Sequence, residues 1–114
     1  MKRILLAVTL MLLSLAVSAD GDYPFDPVGV WRIAHGDGTP ILITAHADGS
    51  AVSDWEKGEE GSWAFEGQRL HFAWTDGWHD FIYREGSGFA KVAYGPGAPL
   101  DGPPTNRTTA ERVK

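Results

Sequence analysis

The chain has 114 residues, with 15 acidic and 10 basic side chains that give a formal net charge of −5 at pH 7. This length predicts a single domain. The acidic balance excludes the basic surface on which binding to nucleic acid or anionic lipid depends. Because the sequence has no cysteine, disulfide bonds, thiol catalysis and cysteine-ligated metal sites are excluded as well.

Residues 1–19 have the pattern of a secretory signal peptide. Lys2 and Arg3 precede an apolar run that extends to Leu13, and the segment ends in small residues up to Ala19. We expect cleavage after Ala19 and a secreted or periplasmic protein with 8 basic and 15 acidic residues, a net charge of −7. The apolar run is short for a membrane span and no second one follows, so we predict no membrane insertion.

Residues 28–94 are predicted to form a β-meander domain. Short apolar runs alternate with glycine-bearing turns at intervals of roughly 8–12 residues, which is typical of all-β proteins. The predicted seven strands are 28–35, 40–46, 50–55, 61–66, 69–75, 78–85 and 88–94. Because every connection is short, neighbouring strands should pair antiparallel.

The segments on either side of this domain carry prolines. Residues 20–27 form a lead-in, and residues 95–114 contain four prolines. Because proline cannot donate a hydrogen bond to a strand ladder, we predict 95–114 as an extended or disordered tail.

Hairpin turns predict which side chains share a face. Turns near 66–68 and 86–87 place Trp63 beside Phe72 and Val92 beside Phe81. A two-residue turn at Asp76-Gly77 would place Phe72 beside Phe81 and Trp74 beside His79, on one apolar face.

In that register the opposite, outward face carries His71, Trp78 and Asp80. A slip of one residue would instead put Asp80 beside Phe72 on the apolar face. That would bury a carboxylate without a partner, at a cost of several kcal/mol. The sequence therefore favours the first register.

A sheet with one aromatic face needs a cover, and the sequence predicts no helix to provide it. We therefore predict that the meander curls into a small barrel or half-barrel. The segment Gly29–Trp31, "GVW", opens the first strand and resembles the Gly-x-Trp start of calycin (lipocalin-type) proteins. The resemblance implies a barrel closed at one end by Trp31, with a small apolar ligand inside. The last predicted strand, 88–94, has no arginine to pack on this Trp. The chain also resembles short exported bacterial proteins of unassigned function.

Histidines close to acids raise the possibility of metal binding. His35, His46 and His79 each lie one or two residues before an aspartate, and His with carboxylate can bind zinc. However, aspartates in turn sequences usually serve the turn. The predicted register also puts His71 and His79 on opposite faces, so we predict no metal site and no cofactor.

Tryptophans near turns provide the main functional argument. A flat ring there can stack on a sugar or pack on a partner, although it can also simply close the end of a barrel. The candidate ligand-binding residues are Trp78, His71, Asp80 and Trp55.

These observations favour an exported binding or interaction module, with a glycan, a small apolar ligand or another protein as partner. One alternative is a small metal-dependent enzyme or hydrolase that uses His and Asp residues. A second alternative is a protein-docking inhibitor or structural protein.

Overall fold

In a computed structural model that describes residues 23–114, the chain forms a closed antiparallel barrel. Over this range it has eight strands: β1 (Gly29–Ala34), β2 (Pro40–Ala45), β3 (Ser50–Ser53), β4 (Glu59–Glu66), β5 (Arg69–Trp74), β6 (His79–Glu85), β7 (Gly88–Tyr94) and β8 (Asn106–Arg112). Each strand pairs with its neighbours in sequence, and β8 pairs with β1. The predicted all-β meander and barrel are confirmed.

The predicted signal peptide, 1–19, lies outside the described residues. Within residues 23–114, no helix is long and apolar enough to cross a membrane.

The C-terminal segment differs from the sequence prediction. Residues 95–114 were predicted as a tail, but they supply β8, which pairs with both β7 and β1. All four prolines lie before Asn106, so the strand keeps its backbone donors. The connection between β7 and β8 folds over the outside of the barrel, where the Tyr94 hydroxyl donates a hydrogen bond of 3.1 Å to the Gly102 carbonyl.

The hairpin between β5 and β6 adopts the register that the sequence analysis rejected. Phe72 pairs with Asp80, and the Trp74 amide donates to the Trp78 carbonyl across 3.0 Å. The turn therefore has three residues rather than two. Its last residue, Gly77, has a φ of 98°, which is the left-handed position of a three-residue hairpin loop.

This register reverses the predicted orientation of every side chain of β6. Asp80 points into the barrel, and His79 points outward beside His71. The predicted cost of burying Asp80 assumed that it had no partner. In the structure Lys91 of β7 lies 3.9 Å from Asp80 Oδ1, and Trp74 Nε1 donates to Asp80 Oδ2 across 2.8 Å.

Phe81 also points outward in this register and is nevertheless fully buried. It packs with Val92 and Tyr94 under the β7–β8 connection, which contributes Ala98 and Leu100. Because both faces of β6 carry large apolar groups, the hydrophobic pattern alone could not fix the register of this strand.

One end of the barrel is closed by aromatic side chains. Trp31 is fully buried, and its Nε1 donates a hydrogen bond of 3.1 Å to the Pro27 carbonyl. Phe25 from the lead-in packs edge-on against it at 5.6 Å between ring centroids. The Arg112 guanidinium of β8 lies 4.2 Å from the centroid of the Trp31 ring. This arginine was missed because β8 was missed.

Candidate functional site

The other end of the barrel opens into a cavity of about 300 Å³. The loops after β1, β3 and β5 contribute to its lining, together with strand residues. We call this cavity the cup; its aromatic walls are Trp55, Trp74 and Trp78, and its polar floor is Asp80, Lys91 and Asn106. The rest of the interior is filled by the hydrophobic core.

Trp74 is held in place by the strands on which it sits. It is the last residue of β5 and pairs with Gly61 of β4. A Cβ atom at Gly61 would lie 2.7 Å from Cε3 of the Trp74 ring, so only glycine leaves room for the indole there. The Trp74 Nε1 donates a hydrogen bond to the Asp80 carboxylate.

Trp55 and Trp78 belong to loops and are only half-buried. The Trp55 ring stacks on His35 at 4.5 Å between centroids, with an interplanar angle of 7°. The Trp78 ring rests against Gly95, and its backbone amide bonds to the Asp76 carboxylate at 3.0 Å. Each indole therefore packs against one neighbour, His35 or Gly95, and keeps part of its surface exposed to solvent.

The floor of the cup is a buried charge pair. The Lys91 side chain is only 2% exposed, and its Nζ donates a hydrogen bond of 2.8 Å to Asn106 Oδ1. Burial raises the pKa of Asp80, although the nearby Lys91 ammonium opposes this shift. Burial likewise lowers the pKa of Lys91. The two charges largely compensate each other at the bottom of the cup.

A second pair, of two carboxyl groups, lies higher in the cup. Glu59 begins β4, and its Oε1 accepts a hydrogen bond of 2.8 Å from the Ser53 hydroxyl. Its other oxygen, Oε2, is buried, and no donor in residues 23–114 is bonded to it. Burial and the adjacent Asp76 carboxyl raise the pKa of Glu59 to about 7. Because two adjacent carboxylates repel each other, this pair favours holding one proton.

Three of the four predicted site residues meet in the cup. Trp55, Trp78 and Asp80 line it, whereas His71 lies on the outside of β5. Trp78 and Asp80 were predicted to face outward with His71, and the changed hairpin register is the reason that they do not. His71 Nδ1 lies 2.6 Å from Glu66 Oε2 on that outer surface.

The structure also corrects the prediction that His71 and His79 lie on opposite faces of the sheet. His71 Nε2 and His79 Nδ1 share a hydrogen bond of 2.8 Å, so they lie on one face. In the part of the chain that the structure describes, no three His, Cys, Asp or Glu residues are grouped so as to hold a metal ion.

Sequence reasoning missed Glu59, Lys91 and Asn106 as site residues. Lys91 did carry a signal, because it is a lone charge in the apolar run "FAKVAY". A lysine in such a run needs a buried partner, which restricts the possible registers of its neighbours.

Comparison with protein-family models, with curated proteins and with solved structures gives no match to this chain.

We expect Glu59→Gln to stabilise the protein at pH 8. The raised pKa means that ionising Glu59 costs stability as pH rises from about 4.5 to about 7. Glutamine removes that cost, which for a half-buried group amounts to about 1–2 kcal/mol after solvent screening.

Thermal melts between pH 4 and pH 8 measure this effect. The variant should melt at least about 4 °C above the wild type at pH 8, and the two should converge near pH 4. Glu60→Gln, at the exposed neighbouring position on β4, should change little at either pH. An equal melting temperature for Glu59→Gln and wild type at pH 8 would show that the carboxylate is well solvated.

Proposed function

We propose that the protein is a binding module that holds a small ligand in the cup. The observation that carries this proposal is a cavity of about 300 Å³ with three tryptophan walls and a charged floor. Small-ligand sites are concave, mostly apolar and equipped with a few polar groups that fix orientation. The cup is concave and has three indole walls, and its lining carries more charged groups than such a site usually has.

The buried charge pair at the floor supports a functional role. Removing Asp80 and Lys91 from water costs free energy that an apolar pair of similar volume would not cost. Within the fold, the pair gives Asp80 its partner in the β5–β6 register. Its position next to an opening also places it within reach of a ligand.

The proposal includes an exported, calycin-like protein. Its support is the signal pattern of residues 1–19, the Gly29–Trp31 motif and the packing of Arg112 on Trp31 at the closed end. Location outside the cytoplasm would suit a small carrier or receptor domain. The ligand-binding end in this proposal is the one opposite Trp31.

Trp78→Ala should weaken ligand binding by at least about tenfold, because a tryptophan anchor contributes large contact area at low entropy cost. The measurement is a fluorescence and calorimetry screen of short amines, alcohols, carboxylic acids and monosaccharides.

Trp63→Ala is the matched control. Trp63 is also half-buried, but its Nε1 bonds to the His46 carbonyl near the closed end of the barrel, so this change should lower stability and spare binding. If no compound binds, or if Trp63→Ala and Trp78→Ala weaken binding equally, the cup is not the site.

A second candidate function is acid–base catalysis by Glu59 and Asp76. The raised pKa of Glu59, about 7, suits a general acid or base at neutral pH. This candidate differs from the predicted hydrolase built on His and Asp residues, because its acid–base groups are two carboxyls; among the described histidines, His35 lines the same cavity. For an enzyme, Glu59→Gln would abolish turnover of a bound substrate while leaving its binding intact. For a binding module, no turnover is seen with either form.

A further inference from the structure

We propose that the ligand of the cup is a small organic cation. An alkylammonium group would donate hydrogen bonds to Glu59 and Asp76, and its carbon chain would pack on Trp55 and Trp78. This inference rests on the proposed function, since it assigns the ligand chemistry of the same site.

The charge of the cup favours a cation. Its lining includes four acids but a single lysine, Lys91, all within residues 23–114. Lys91 is already paired with Asp80 and bonded to Asn106. Glu59 and Asp76 therefore remain without a positive partner, together with Glu56 at the rim. A carboxylate or phosphate ligand would be repelled by this arrangement.

The unpaired oxygen of Glu59 specifies the kind of cation. Oε2 is buried, and no residue of the described chain bonds to it. When Glu59 is ionised, this buried acceptor without a donor costs about 1–3 kcal/mol, and a ligand N–H would remove that cost. A primary ammonium has three donors, so it can bond to Glu59 and Asp76 together. A quaternary ammonium has none.

The tryptophans add a second attraction for the same chemistry. A cation near an indole face is stabilised by the ring quadrupole, more strongly where water is excluded. Trp55 and Trp78 line the same cavity as Glu59 and Asp76. Sugar sites also combine aromatic rings with carboxylates, so the test below includes a monosaccharide.

Below about pH 7, cation binding must displace the proton that Glu59 holds. The released proton passes to the buffer, so affinity should increase with pH and level off above about pH 7. Other charged groups face Glu59 from the surrounding elements: Asp80 of β6, Lys91 of β7, His35 of the β1–β2 loop and Glu56 of the β3–β4 loop.

Three four-carbon probes separate the possibilities. Butylamine, butan-1-ol and butyrate have similar apolar chains, and the amine is protonated throughout the range tested, as lysine is. Calorimetry at pH 8 should show butylamine binding at least about tenfold more tightly than the alcohol, and butyrate more weakly than both. Between pH 6 and pH 8 the affinity for butylamine should increase by about tenfold.

Glu59→Gln and Glu60→Gln are the matched variants for this test. Glu59→Gln retains the shape of the cup and should lose most of the preference for the amine over the alcohol and most of the dependence on pH. Glu60→Gln, on the exposed side of the same strand, should behave as the wild type. Thermal melts of both variants check that each is folded.

The possible failures are distinguishable. If the alcohol, butyrate or a monosaccharide binds as tightly as butylamine and is lost in Trp78→Ala, the cation assignment is wrong and the binding module stands. If the amine binds equally well to Glu59→Gln, the carboxyl pair is not its site. If none of these compounds binds, the proposed binding module and the proposed cation ligand are both wrong.

Discussion

A chain that ends at Tyr94 will fail to form the barrel. Residues 106–112 pair with β7 from Ala93 to Phe89 and with β1 from Ile33 to Trp31. Their removal leaves two open sheet edges, which promote association between chains. It also removes Arg112 from the face of Trp31. We expect the truncated chain to show neither a cooperative melt nor dispersed amide resonances.

The control is a chain shortened by Lys114 alone. It retains β8 and both of its ladders, and it should melt cooperatively. If the chain ending at Tyr94 also melts cooperatively with native-like spectra, residues 95–114 are the dispensable tail that the sequence predicted.

Lys91→Met should destabilise the protein by about 3–5 kcal/mol, because it leaves the buried Asp80 carboxylate without its cation. The loss should be largest near neutral pH. It should shrink as pH falls towards the ordinary pKa of aspartate, about 3.9, where Asp80 is protonated in the folded and unfolded states alike. Urea unfolding at pH 7 and pH 4 measures both values.

Two further variants complete the test of the charge pair. Lys57→Met removes an exposed lysine of the β3–β4 loop and should cost less than about 1 kcal/mol. Lys91→Met combined with Asp80→Asn should recover a large part of the loss, because the buried charge is gone. Equal losses for Lys91→Met and Lys57→Met would show that Lys91 does not neutralise Asp80.

The strand bounds followed from local signals. Turn glycines such as Gly67 and Gly86 adopt the left-handed conformation, with φ of 64° and 60°, and their hairpins have the predicted pairing. By contrast, "Asp76-Gly77" fits both two-residue and three-residue loops. The choice depends on Lys91, which comes from another strand and gives Asp80 its partner. Local reasoning could not evaluate that contact.

The site was only partly predictable for the same reason. Trp55 and Trp78 stood out because large aromatic residues near turns are unusual. Glu59, Lys91 and Asn106 come from β4, β7 and β8, which meet only when the barrel closes. The strand that closes the barrel, β8, was not predicted, because the prolines before it indicated an irregular tail. The composition of the cup is therefore a property of the tertiary fold.

The five tryptophans provide the most direct test of the cup. Trp55, Trp74 and Trp78 line it, whereas Trp31 and Trp63 lie towards the closed end. In ¹⁵N-labelled protein each indole N–H gives its own resonance, so a titration with butylamine at pH 8 reports on both ends at once. We predict that the three cup resonances shift together along one saturating curve while the other two stay fixed. A shift centred on Trp31 or Trp63, or no shift at any of the five, would contradict the assignment of the open end as the binding site.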